Sequence, residues 1–132
     1  MEILGAMLIK FLKITAVAAL LLSGSLAAQA GQPFDGKAFQ QAQAAGKTIL
    51  VDVTASWCST CQKQRPIVQE IEKERLNLVV YEVDFDTAKD FLKRYHVQYQ
   101  STLIMFRGVN EVGRSTGETD PTRIRALVAK GF

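Results

Sequence analysis

The apolar positions of this chain change character at about residue 30. Before it, Ile14–Leu22 (ITAVAALLL) is apolar without interruption. After it, apolar residues come in short runs or at helical spacing. In Phe34–Ala45, Ala38, Ala42 and Ala45 share a face with Phe39 beside it, which predicts a helix capped by Asp35 and closed by Gly46. Thr48–Thr54 (TILVDVT) is β-branched and apolar, a buried strand with Asp52 in its middle. After Ala55–Cys61 (ASWCSTC) a helical stretch runs to about Arg75, with Ile67, Val68 and Ile71 inward and Pro66 expected to kink it. Leu78–Phe85 reads as a second strand. Ala88, Phe91, Leu92 and Tyr95 mark a short amphipathic helix. Thr102–Phe106 is a third apolar strand. Gly108–Asn110 turns the chain into a polar, edge-like strand, Glu111–Thr116. Pro121 opens a last helix with Ile124, Leu127 and Val128 inward.

The order α-β-α-β-α-β-β-α predicts an α/β fold. The first two strands should pair in parallel across a helical crossover and the last two as a hairpin. The result is a mixed four-stranded sheet with helices on both faces.

The N-terminal block has the form of an address. Lys10 and Lys13 precede the apolar run, and small residues ending in Ala28-Gln29-Ala30 follow it. That is the layout of a secretory signal peptide cut after Ala30. An uncut membrane anchor is the alternative, but Ile14–Ala28 is shorter than the roughly 20 residues that span a bilayer. Residues 1–30 are therefore expected to be a signal peptide and residues 31–132 one domain in an oxidising compartment, periplasmic or secreted. The 16 basic and 13 acidic residues leave a formal charge of +3, too little to mark a nucleic-acid surface.

Two cysteines cannot staple a scaffold, so their spacing carries the information. Cys58 and Cys61 fall where a strand gives way to a helix, the setting of a redox dithiol. At a helix N-terminus Cys58 meets unpaired N–H groups and the positive end of the dipole, which favour its thiolate. Cys61, one turn in, should be more buried and able to resolve a mixed disulfide made by Cys58. A purely structural disulfide would close too short a loop to constrain the unfolded chain much. Half a zinc site lacks ligands, because His96 is the sole histidine and suits a surface or helix-capping position better.

The stretch Val51–Cys61 (VDVTASWCSTC) resembles the active-site segment of the thioredoxin family. Pro66, Thr102–Phe106 and Gly117 match further features of that family, and the likeness covers most of 31–132. The family's extra N-terminal strand is expected to be missing, as in the short thioredoxin-like domains of exported bacterial redox proteins. The resemblance implies a thiol–disulfide oxidoreductase with Cys58 as nucleophile, Cys61 resolving and a buried Asp52 moving a proton. A backbone-bonded, purely structural Asp52 is the alternative. Trp57, Ser101 and Thr102 would line the client site. No organic cofactor or metal is implied. The partners would be protein thiols or disulfides and a membrane electron donor or acceptor, with the protein acting as a monomer.

Three positions depart from the family. Ser101 stands where the family has a cis-proline, and a trans Gln100–Ser101 bond is expected because the cis form costs roughly 2.5–4 kcal/mol there. Glu82 stands where thioredoxins often carry a lysine beside the aspartate. Pointing inward, it would raise the Asp52 pKa; pointing outward, it would be an ordinary strand residue. Ser59-Thr60 replaces Gly-Pro and tilts the pair away from the most reducing end. Without the proline, a non-catalytic binding module for a peptide, or for a metal across a dimer, is the competing reading, and the intact cysteine pair counts against it.

Overall fold

The computed structural model describes residues 31–132, so the expected leader over 1–30 lies outside the described residues. The elements are β1 (Gln32–Pro33), α1 (Gly36–Ala44), β2 (Thr48–Thr54), α2 (Ser59–Glu74), β3 (Leu78–Asp84), α3 (Lys89–Arg94), β4 (Thr102–Arg107), β5 (Asn110–Thr116) and α4 (Pro121–Ala129). The sheet order is β1-β3-β2-β4-β5. β1 and β2 each pair with β3 in parallel; β4 pairs antiparallel with both β2 and β5.

The sheet therefore has five strands rather than the expected four. The extra one is β1, whose Gln32 and Pro33 lie opposite Tyr81 and Glu82. Two residues with a proline carry no alternating pattern, and the helical signal just downstream masks them. The helix itself begins at Gly36, with the Asp35 carboxylate accepting from the Ala38 N–H at 2.6 Å. Gly46 follows α1 at φ +69°, a left-handed turn that glycine adopts without steric cost.

Strand parity sorts the core. Ile49, Val51 and Val53 of β2 pack against Phe39 of α1 and Phe91 and Leu92 of α3. Leu50 faces the other way, with Leu103 and Met105 of β4, onto Val68 and Ile71 of α2 and Ile124, Leu127 and Val128 of α4. Each such side chain, fully buried, contributes about 1.5–3 kcal/mol against exposure. By the same period of two, Asp52 shares the face of Leu50, toward α2. The sheet thus places a carboxylate beneath the helix that begins at the cysteines. That helix continues through Pro66 without ending, although the missing N–H leaves the Gln62 carbonyl without its helical donor.

Candidate active site

β2 delivers the chain to a turn, Ala55–Trp57, from which α2 starts. The Cys58 N–H donates to the Ala55 carbonyl at 3.2 Å. Cys58 is the N-cap of α2, and its Sγ accepts from the Cys61 N–H at 3.0 Å. A sulfur thus occupies the place where a capping oxygen would satisfy an orphan amide. Cys58 and Cys61 are joined by a disulfide with Cα atoms 5.3 Å apart. Both sulfur residues are buried almost equally, Cys61 at 2% and Cys58 at 3% exposed, so the expected difference in burial is marginal. The disulfide holds both sulfurs against Ala55, with Phe85 packed on the cluster. Position at the helix end, not burial, distinguishes the two.

Asp52 is buried, and its Oδ1 has no hydrogen-bond partner among the described residues. Burial raises its pKa to about 7, Glu82 adds to the rise, and the Arg65 guanidinium opposes it. Glu82 lies opposite Asp52 in the β2–β3 ladder and is half-buried, so the inward alternative holds. Its own pKa is raised by burial; Arg65 opposes this, and Glu72 adds to the rise. Arg65 is exposed on α2, yet it is the cation that both carboxylates feel.

Trp57 is 58% exposed and donates its Nε1–H to Asp86 at 2.8 Å, which leaves the ring face to solvent. Ser101 is buried immediately before β4 and has φ +55°, the left-handed region. Among the described residues no peptide bond is cis, as expected at Gln100–Ser101, but the positive φ was not foreseen. Thr102 is buried and its hydroxyl is spent on the Tyr99 carbonyl at 2.7 Å and on Thr116 Oγ1 at 3.0 Å. Its side chain braces the entry to β4 rather than facing outward. Gly117, at φ +72°, donates its N–H to the Ser101 carbonyl. His96 is exposed at φ +53° directly after α3, a helix-terminating position. Among the described residues no group of three His, Cys, Asp or Glu side chains is placed to hold a metal ion.

Sequence reasoning missed Gln64, Asp86 and the reach of Arg65. Gln64 is wholly buried and donates to the carbonyls of Ser101 and Glu118 at 3.2 and 2.9 Å. Its spacing held a clue. It falls three residues after Cys61 and four before Val68, on the buried face of α2. Asp86 had no such clue, because its partner is brought close only by the turn after β3.

A family model described as Thioredoxin matches residues 32–130. A thioredoxin of Echinococcus granulosus is 30% identical over 94 residues, 71% of this chain and 87% of that protein. An H-type thioredoxin of Fagopyrum esculentum is 35% identical over 79 residues, 60% of this chain and 68% of the relative. Among solved structures, the crystal structure of Trxlp from Edwardsiella tarda aligns with a TM-score of 0.71 at 40% identity, covering 74% of this chain and 96% of the other. The chain belongs to the thioredoxin family. Its paired Cys58 and Cys61 make it a thiol–disulfide oxidoreductase of the thioredoxin type.

Proposed function

We propose that this protein is exported and exchanges disulfides with protein clients, with Cys58 attacking, Cys61 resolving and Asp52 handling the proton. The observation that carries the reading is the Cys58–Cys61 disulfide at the start of α2, on the sheet face that also holds the buried Asp52. In the reducing direction the Cys58 thiolate attacks one sulfur of a client disulfide, and the other leaves as thiolate. Cys61 gives up its proton and attacks Cys58 Sγ, which releases the second client thiolate. Two electrons pass to the client, the Cys61 proton goes with them, solvent supplies the second proton in place of the one Cys58 had already lost, and the Cys58–Cys61 bond re-forms. The oxidising direction is the reverse. A carboxyl that titrates near neutrality under the dithiol is suited to take the Cys61 proton and return it. Trp57 offers clients an apolar face, and the Ser101 turn offers them backbone. One copy of the chain contains all these groups, which supports a monomer, and a membrane partner would reset the pair after each turnover.

Export rests on the Lys10–Ala30 pattern and on one contact at the start of the domain. The Gly31 N–H donates to Glu72 Oε2 at 3.0 Å. Cleavage after Ala30 would turn that amide into an ammonium beside a carboxylate, a stronger interaction.

The roles of the two sulfurs are tested by trapping. Cys61→Ser should accumulate client adducts that dithiothreitol releases, and Cys58→Ser should accumulate none. Adducts on Cys58→Ser alone would reverse the assignment.

A further inference from the structure

Gln64 is a wholly buried primary amide on a helix face otherwise made of Cys61, Val68 and Ile71. Both of its bonds go to main-chain carbonyls from loops far away in sequence, Ser101 ahead of β4 and Glu118 after β5. The Ser101 carbonyl also accepts from the Gly117 N–H at 2.9 Å, so two donors converge on it. The residue that owns this carbonyl has φ +55°, which a serine adopts only when its surroundings impose it. Gln64 Oε1 is buried without a hydrogen-bond partner among the described residues. A leucine would fill the same space without that desolvated acceptor, so packing alone does not account for an amide here. What the amide adds is a fixed link between α2, which carries the cysteines, and the turn that precedes β4. Within that turn, the N–H and carbonyl of Gln100 have no hydrogen-bond partner among the described residues.

We propose that Gln64 is a positioning residue for protein clients: its amide locks the Ser101 turn in register with the dithiol, so that the main chain of Gln100 is presented to an extended client segment. This deepens the proposed function and rests on its reading of Cys58 as the attacking sulfur. Gln64 touches no reacting atom. A client that needs main-chain pairing depends on it, and a small disulfide that meets only the sulfurs does not.

The test compares two substrates of the full-length protein and its Gln64→Leu variant. One is insulin, with dithiothreitol as electron donor; the other is bis(hydroxyethyl) disulfide. Gln64→Leu should lose about tenfold in kcat/KM for insulin, mostly through KM, the scale of one lost hydrogen bond. Its rate with the small disulfide and its reduction potential should stay within twofold of wild type. Adding Ser101→Gly, which removes the strain at φ +55°, should restore part of the insulin KM. If Gln64→Leu does not fold, Gln64→Met takes its place with the same expectations. Equal losses on both substrates, or no loss on insulin, would overturn the proposal while leaving the dithiol chemistry standing. A wild-type protein inert toward both substrates would overturn the reading of Cys58 and this inference with it.

Discussion

Asp52 and Glu82 face each other across the parallel β2–β3 ladder, on the side of the sheet that α2 covers. Two carboxylates on neighbouring strands share one exposed cation, Arg65, and neither sits at its ordinary pKa. The Glu82 charge adds to the rise in the Asp52 pKa that burial begins, while Glu82 is itself raised by burial and by Glu72.

Asp52 makes stability depend on pH in a defined sense. Its folded pKa of about 7 lies above the ordinary 3.8, so the folded chain holds the proton more tightly than the unfolded one. Its contribution is therefore lost as pH rises from about 4 and is fully lost above about 7. Asp52→Asn should gain on wild type across that window, by about 2–4 kcal/mol at pH 8 and little at pH 4. Urea unfolding at several pH values checks this. A gap that does not change with pH would show that Asp52 ionises normally.

Glu82→Gln removes the like charge and should lower the Asp52 pKa. Arg65→Ala removes the opposing cation and should raise it. NMR titration of the Asp52 carboxyl carbon in each variant reads both shifts. Shifts of the same sign in the two variants would break the account.

Ser101 holds a left-handed backbone without being glycine. Ser101→Gly should leave stability unchanged or raise it by up to about 1 kcal/mol. Ser101→Val should lower it by more than about 1 kcal/mol, since a β-branched residue fits that region worst. Unfolding midpoints in urea decide. Equal midpoints for the two variants would mean that the turn is not held in this conformation in solution.

Trp57 is more than half exposed, so Trp57→Ala should change stability by less than about 1 kcal/mol. It should still slow exchange with protein clients several-fold, because the apolar face beside Cys58 is gone. Thermal unfolding and insulin turnover, measured on one preparation, separate the two effects. A large stability loss with unchanged turnover would make Trp57 a structural residue.

Cleavage after Ala30 would leave Gly31 with a free ammonium beside Glu72. If the chain is exported as proposed, mass spectrometry of the secreted or periplasmic fraction should find Gly31 as its first residue. Glu72→Gln should then cost the processed chain more stability than the same chain extended by one alanine. An intact N-terminus in the exported protein would rule the cleavage out.

The long elements were legible in the sequence because burial leaves a period. Thr48–Thr54 is continuous and β-branched because both faces of β2 are covered. Asp35, Gly46 and Pro121 marked helix ends through local chemistry that works without tertiary context. The Trp-Cys-x-x-Cys segment marked the site because its spacing fixes a sulfur at a helix start. What stayed hidden depends on distant partners. β1 is a strand only because Tyr81 and Glu82 lie beside it. Gln64 looks like an ordinary helical glutamine until Ser101 and Glu118 are folded against it. The positive φ of Ser101 is imposed by its surroundings, and nothing in Gln100-Ser101-Thr102 announces it.

The most direct measurement is equilibration of the wild-type Cys58–Cys61 pair in glutathione buffers of graded potential, with Cys58→Ser as control. A reversible two-electron transition, lost in the control, should appear between roughly −270 mV, the value of thioredoxin itself, and roughly −120 mV, that of a strong disulfide donor. The lower end would make the protein a reductase fed by a donor, and the upper end an oxidant. A pair that never exchanges with glutathione would contradict the account and leave a thioredoxin-fold binding module in its place.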